Sequence, residues 1–89
     1  MEEVIKMPEK EIGIIEHYYG HISVGIIKLA DGLKVGEQIH VKGGSSDFTQ
    51  IVSSMQIEHV NLSEAKVGDA IGIKIEQKVR PGDKVYKVT

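Results

Sequence analysis

No cysteine occurs among the 89 residues. That excludes a disulfide framework, a thiolate metal site and a thiol nucleophile. It also fits a reducing compartment, so a cytoplasmic protein is expected. No stretch approaches the roughly 18 consecutive apolar residues of a membrane span. Residues 1–11 are charged and hold no apolar run of signal-peptide length. The net charge is −2 with the signs mixed, so no bulk basic field draws in nucleic acid and any RNA contact has to be local.

The motifs of several enzyme classes are missing as well. In Lys42-Gly43-Gly44-Ser45-Ser46 the lysine precedes the glycines, whereas a phosphate loop needs Gly-x-x-x-x-Gly-Lys-Ser/Thr opening a helix. GTP is therefore not expected as a ligand. The histidines, His17, His21, His40 and His59, show no i, i+4 helical pair, so neither a metal nor any other cofactor is expected. Ser63-Glu64-Ala65-Lys66 has the letters Ser-x-x-Lys of penicillin-binding enzymes without their partner motifs; Ser63 reads as a cap. Asn61-Leu62-Ser63 is a glycosylation sequon by letters alone, with no secretory signal. The chain reads as non-catalytic.

What is present is a turn written three times. Lys34-Val35-Gly36-Glu37 recurs as Lys66-Val67-Gly68-Asp69 and, more loosely, as Arg80-Pro81-Gly82-Asp83. Pro followed by Gly is the signature of a type II turn, whose third position needs positive φ. Gly36, Gly68 and Gly82 are thus expected to be structural turn residues. A strand follows each turn, with Ile39/Val41, then Ile71/Ile73/Ile75, then Val85 at the period of two that lines one face of a sheet.

The remaining chain predicts further strands. Residues 1–10 read as a flexible lead-in, and residues 11–89 as a single domain sharing one core. Residues 11–19 form a first strand, Gly20-His21 a two-residue hairpin turn, and residues 22–29 a second strand. In that strand Ile22, Val24 and Ile26 lie on one face and Ile27 and Leu29 on the other, so Gly25 suggests a bulge or a barrel corner. Residues 43–47 form a loop, and residues 48–59 the longest strand, with Ile51, Met55 and Ile57 inward. Residues 61–66 are too short for a full helix, and Asn61 or Ser63 can cap a single turn ending at Gly68. Six strands with no long helix point to an all-β antiparallel domain, and the liability of open edges favours closure into a barrel.

Taken in order, residues 12–29, Asp31-Gly32-Leu33-Lys34-Val35-Gly36-Glu37, Ser54-Met55-Gln56-Ile57-Glu58-His59 and Glu64-Ala65-Lys66-Val67-Gly68-Asp69 resemble the second-domain barrel of elongation factor Tu and related translational GTPases. The resemblance covers residues 11–88 and rests on the order and spacing of common motifs. It implies a six-stranded closed antiparallel Greek-key β-barrel of the elongation factor Tu domain 2 type, here without the GTPase domain. It also implies contacts to the aminoacylated end of tRNA from Gln56 and Glu64. Lys66 and Arg80, beside the turns, are candidates for phosphate. Tyr18, Tyr19 and His21 cluster at the first hairpin. Exposed aromatics there can stack on bases or anchor a protein partner; alternatively one tyrosine packs inward while the other covers a barrel end.

The expectation from this resemblance is a non-catalytic binding module contacting RNA, tRNA or a ribonucleoprotein in translation. The alternative is a protein-interaction or accessory subunit, since a similar barrel follows the catalytic part of collagenase-like peptidases. Fold alone does not choose between them.

Overall fold

The computed structural model describes residues 9–88. Every strand pairing is antiparallel, and no helix occurs among the described residues. The strands are β1 (Glu9–Tyr19), β2 (Val24–Leu29), β3 (Leu33–Lys34), β4 (Gln38–Lys42), β5 (Asp47–Ile51), β6 (Met55–Ile57), β7 (Val60–Leu62), β8 (Glu64–Ala65), β9 (Ala70–Lys74) and β10 (Lys84–Val88). Eight form one sheet in the order β5-β4-β10-β1-β2-β9-β6-β7, and β3 and β8 form a separate ribbon. The all-β class agrees with the sequence. The six-stranded closed barrel does not match this pairing: among the described residues there are ten strands, and no ladder joins the two ends of the large sheet.

The difference arises where the chain breaks strands without glycine or proline. The expected strand over residues 48–59 is two strands, β5 and β6, separated by residues 52–54. Ile51, expected inward, is 53% exposed, while Val52 takes an inward position. Where a single capped turn from Asn61 or Ser63 to Gly68 is expected, the chain forms the edge strand β7 followed by β8. In β2 the bulge lies opposite the expected place: the register shifts between Ile15 and His17 on β1. Gly25 is buried, and a Cβ there would meet Ile75 Cγ1 at 3.0 Å. The lead-in expected over residues 1–10 falls mostly outside the described residues, and β1 already begins at Glu9.

The core is one cluster that includes Ile12, Ile15, Ile27, Ile39, Val41, Met55, Ile71, Ile73 and Val85, with Tyr18 and Ile57 packed against it. Alternation builds it: Ile39 and Val41 on β4, and Ile71 and Ile73 on β9, all point inward. The three repeated turns fasten this core at its margins. Gly36, Gly68 and Gly82 stand at φ 96, 91 and 97°. In each turn the acidic fourth residue accepts the backbone N–H of the first: Glu37 from Lys34 at 2.7 Å, Asp69 from Lys66 at 2.9 Å and Asp83 from Arg80 at 3.0 Å.

Each turn also grips one buried aliphatic residue through two backbone bonds. Gly36 N–H donates to the Val52 carbonyl while Val52 N–H donates to that of Glu37, at 2.8 and 2.9 Å. Gly68 and Asp69 hold Leu29 in the same way at 2.9 and 2.8 Å, and Gly82 and Asp83 hold Ile15 at 2.8 and 2.8 Å. The basic–apolar–Gly–acidic pattern is thus a docking unit used three times. Its acidic letter satisfies a turn N–H, and its glycine supplies both the positive φ and a cross-chain donor.

Candidate functional site

Two hairpin turns stand over the outer face of the large sheet and enclose an open cleft of about 510 Å³. Its floor is a row across three strands. Ile26 of β2 pairs with Gly72 of β9, which pairs with Gln56 of β6. Glycine in the middle of that row leaves the floor low, and Val24 and Ala70 complete it. Val24 and Ile26 are half-buried, the second apolar face of β2 that faces away from the core.

One wall is the β1–β2 turn, with Tyr19, His21 and Ile22. This turn is fixed at three points: Ile22 N–H donates to the Tyr19 carbonyl at 3.2 Å, Ile75 N–H to that of Ser23 at 2.9 Å, and Lys74 Nζ to that of Ile22 at 3.3 Å. Even so, Tyr19 is 42% and Ile22 49% exposed. The Tyr19 ring leans on the His17 imidazole, centroids 4.3 Å apart. The other wall is the β6–β7 turn, with Glu58 and His59. Ser23, Glu58 and His59 are the non-glycine residues at positive φ among those described, at 55, 49 and 66°. All three lie in these two turns, and each such residue costs about 1 kcal/mol or more.

The cleft combines a mostly apolar floor, ending at the Gln56 amide, with a carboxylate and two imidazoles on its rim. Gln56 donates from Nε2 to Asn61 Oδ1 at 2.9 Å, which orients its amide. Among the described residues no group of three or more His, Asp, Glu or Cys is arranged to hold a metal ion. The chemistry on offer is burial of an apolar group with hydrogen bonding around it.

The residues singled out in the sequence do not gather in one place. Gln56, Tyr19 and His21 line this cleft. Glu64 and Lys66 line a separate hollow of about 270 Å³ beside β3 and β8. There Lys34 pairs with Glu64 at 3.5 Å and Lys87 with Glu37 at 3.4 Å, so the polar groups largely serve one another. Arg80 opens the third turn and lines neither hollow. Tyr18 is half-buried against the core. Sequence reasoning missed Ile22, Glu58 and His59 as site residues. The two apolar faces of β2 were a visible signal for the first; Glu58-His59 carries no Gly, Asn or Pro to mark a turn.

No protein-family model matches the chain. It is 39% identical over 77 residues to an uncharacterised protease of Methanocaldococcus jannaschii, covering 85% of this chain and 19% of that protein. It is 29% identical over 72 residues to a collagenase of Porphyromonas gingivalis, covering 79% of this chain and 20% of that one. The chain thus spans about a fifth of the length of the curated relatives it matches.

In structure it superposes on the C-terminal domain of a Geobacillus thermoleovorans protein assigned as a U32 peptidase. The TM-score is 0.85 and the identity 16%, covering 90% of this chain and 93% of that domain. The selenomethionine form of that domain gives 0.82 at 15% identity, covering 85% and 96%. The fold is therefore that of this C-terminal domain. These findings correct the resemblance to elongation factor Tu: the relatives described are a protease and a collagenase, and the structural match described is the C-terminal domain of a protein assigned as a U32 peptidase. The translation and RNA-binding expectations fall with it. Part of what carried the resemblance is two of the repeated turns, Lys34-Val35-Gly36-Glu37 and Lys66-Val67-Gly68-Asp69, and these turns fasten strands to a core irrespective of what the surface binds.

Proposed function

We propose that the chain is a non-catalytic accessory domain of U32-type peptidase-like proteins and that it acts by binding a protein partner, the peptidase-like portion. The observation that carries this reading is the 39% identity to a protease of which the chain spans only 19%. The remainder of that relative leaves ample room for a catalytic portion, which the accessory domain would contact. The cleft supports the same reading. Its exposed Tyr19 and Ile22 are apolar groups that a partner can cover, and aromatic anchors in pockets carry much of the binding energy of protein interfaces. Its polar rim holds no paired nucleophile and base of the kind covalent catalysis needs.

The test is to assay gelatin cleavage by a U32-type peptidase portion deprived of its matching segment, with and without the purified chain. The expected result is no turnover by the chain alone and altered turnover when it is added. Cleavage by the pure chain, abolished by one point substitution, would refute the non-catalytic reading.

A further inference from the structure

Glu9, His40 and Asp47 come from three strands and meet on the outer face of the sheet, away from the cleft. His40 lies in the middle of β4, paired with Tyr86 of β10 and Thr49 of β5. Glu9 opens β1 and pairs with Val88 of β10, and β10 lies between β1 and β4. The His40 Nδ1 is 2.8 Å from Glu9 Oε2 and 3.0 Å from its Oε1, while Nε2 is 2.5 Å from Asp47 Oδ1. The imidazole is only 15% exposed. An ionised carboxylate only accepts, and only the imidazolium has an N–H on both nitrogens. The neutral ring can therefore keep just one of the two ties and turns a lone pair toward the other carboxylate.

We propose that Glu9, His40 and Asp47 form a proton-gated clamp that ties the start of β1, across β10, to the β4–β5 hairpin. With the imidazolium in place both ends are held; loss of its proton releases one of them. The charged and titratable groups around it are Glu11 from β1, Lys84 and Tyr86 from β10, and Lys42 on its own strand. Lys84 is engaged with Glu11 at 3.6 Å, and the Lys42 charge also favours ionised Asp47; among the described residues His40 is the cationic group within ion-pairing distance of Glu9 and Asp47.

The hydrogen bond to Asp47, and after it the one to Glu9, raises His40 above its ordinary 6.5 against the opposing effect of burial. The His40 bond in turn lowers Asp47 below 3.8. A raised histidine contributes stability that is full below pH 6.5 and fades as pH climbs through its folded value. A lowered aspartate contributes stability that is full above pH 3.8 and is lost as pH falls through its folded value. The clamp is therefore closed between these limits and opens on the alkaline side.

The test follows the His40 Cε1–H resonance, assigned by its disappearance in His40→Gln, through a pH titration. In parallel, amide exchange of Lys10 and Glu11 is measured at about pH 6 and about pH 9 and corrected for intrinsic rates. In the wild type, His40 is expected to titrate above 6.5, and protection at Lys10 and Glu11 to fall once it deprotonates. In Glu9→Gln, a same-sized change at a strand end whose side chain is about a third exposed, the midpoint is expected to move back toward 6.5 and the pH dependence of protection to disappear. Asp47→Asn is expected to lower the midpoint as well. A wild-type midpoint at or below 6.5, or the same loss of protection in Glu9→Gln, would overturn the clamp.

Discussion

The Gln50 side chain donates from Nε2 to the Lys74 carbonyl oxygen at 2.7 Å. Its Oε1 accepts the Glu76 N–H at 2.9 Å. β5 and β9 share no backbone ladder, so one buried side chain, 5% exposed, satisfies two main-chain groups that no strand reaches. Replacing it with leucine keeps the volume and leaves both groups unpaired. Gln50→Leu is expected to lower stability by about 1–3 kcal/mol, read as a lower urea midpoint with unchanged slope. A neutral substitution would mean that water takes over both bonds.

The three turns make a graded prediction. At Gly36 and Gly68 the backbone has φ near 96 and 91°, and nothing lies within 4 Å of an added Cβ. The cost of substitution there is conformational, not steric. Asparagine, which tolerates the left-handed region, is expected to be the mildest replacement and valine the worst, at more than about 1 kcal/mol. Thermal unfolding of Gly68→Asn, Gly68→Ala and Gly68→Val measures the order. Equal costs would contradict the conformational account.

Gly43 depends on close approach. A Cβ there would collide with the Asp83 side chain, which is buried and holds the Arg80 N–H. Gly43→Ala should therefore be destabilising in the wild type and less so in the background of Asp83→Ala. Residues in contact typically couple by about 0.5–3 kcal/mol, and a double-mutant cycle by urea unfolding reads the coupling directly. Additive effects would place the strain elsewhere.

The fold class was legible because its signals are local. Alternation at Ile39/Val41 and Ile71/Ile73, and glycine at the third turn position, act through neighbouring residues alone. The strand inventory was less legible. Nothing in Glu58-His59 announces a reversal, and Ser53-Ser54 suggests a bulge rather than the full break between β5 and β6, because tertiary contacts, such as the grip of the first turn on Val52, impose these conformations. The candidate site was legible only in fragments. Tyr19, His21 and Gln56 were noticed. Gly20 signals the first reversal but not its length, since the turn takes residues 20–23 rather than two residues, and nothing local marks the turn that carries His59. The family likeness misled for the same reason. Turns that dock strands onto a core look alike wherever such a sheet is built, and they carry no record of the partner.

The most direct measurement is sedimentation equilibrium of the purified chain mixed with a U32-type peptidase portion that lacks its own matching segment. Wild type and the cleft variants Ile22→Asp and Tyr19→Ala are compared. Both positions are exposed, so the variants should fold, and circular dichroism verifies this. The account predicts a one-to-one complex with the wild type, weakened about tenfold or more by Ile22→Asp, because hot-spot truncations at interfaces commonly reach about 2 kcal/mol. A complex indifferent to both substitutions would move the interface off the cleft. No complex with the wild type at any attainable concentration would contradict the accessory-domain account itself.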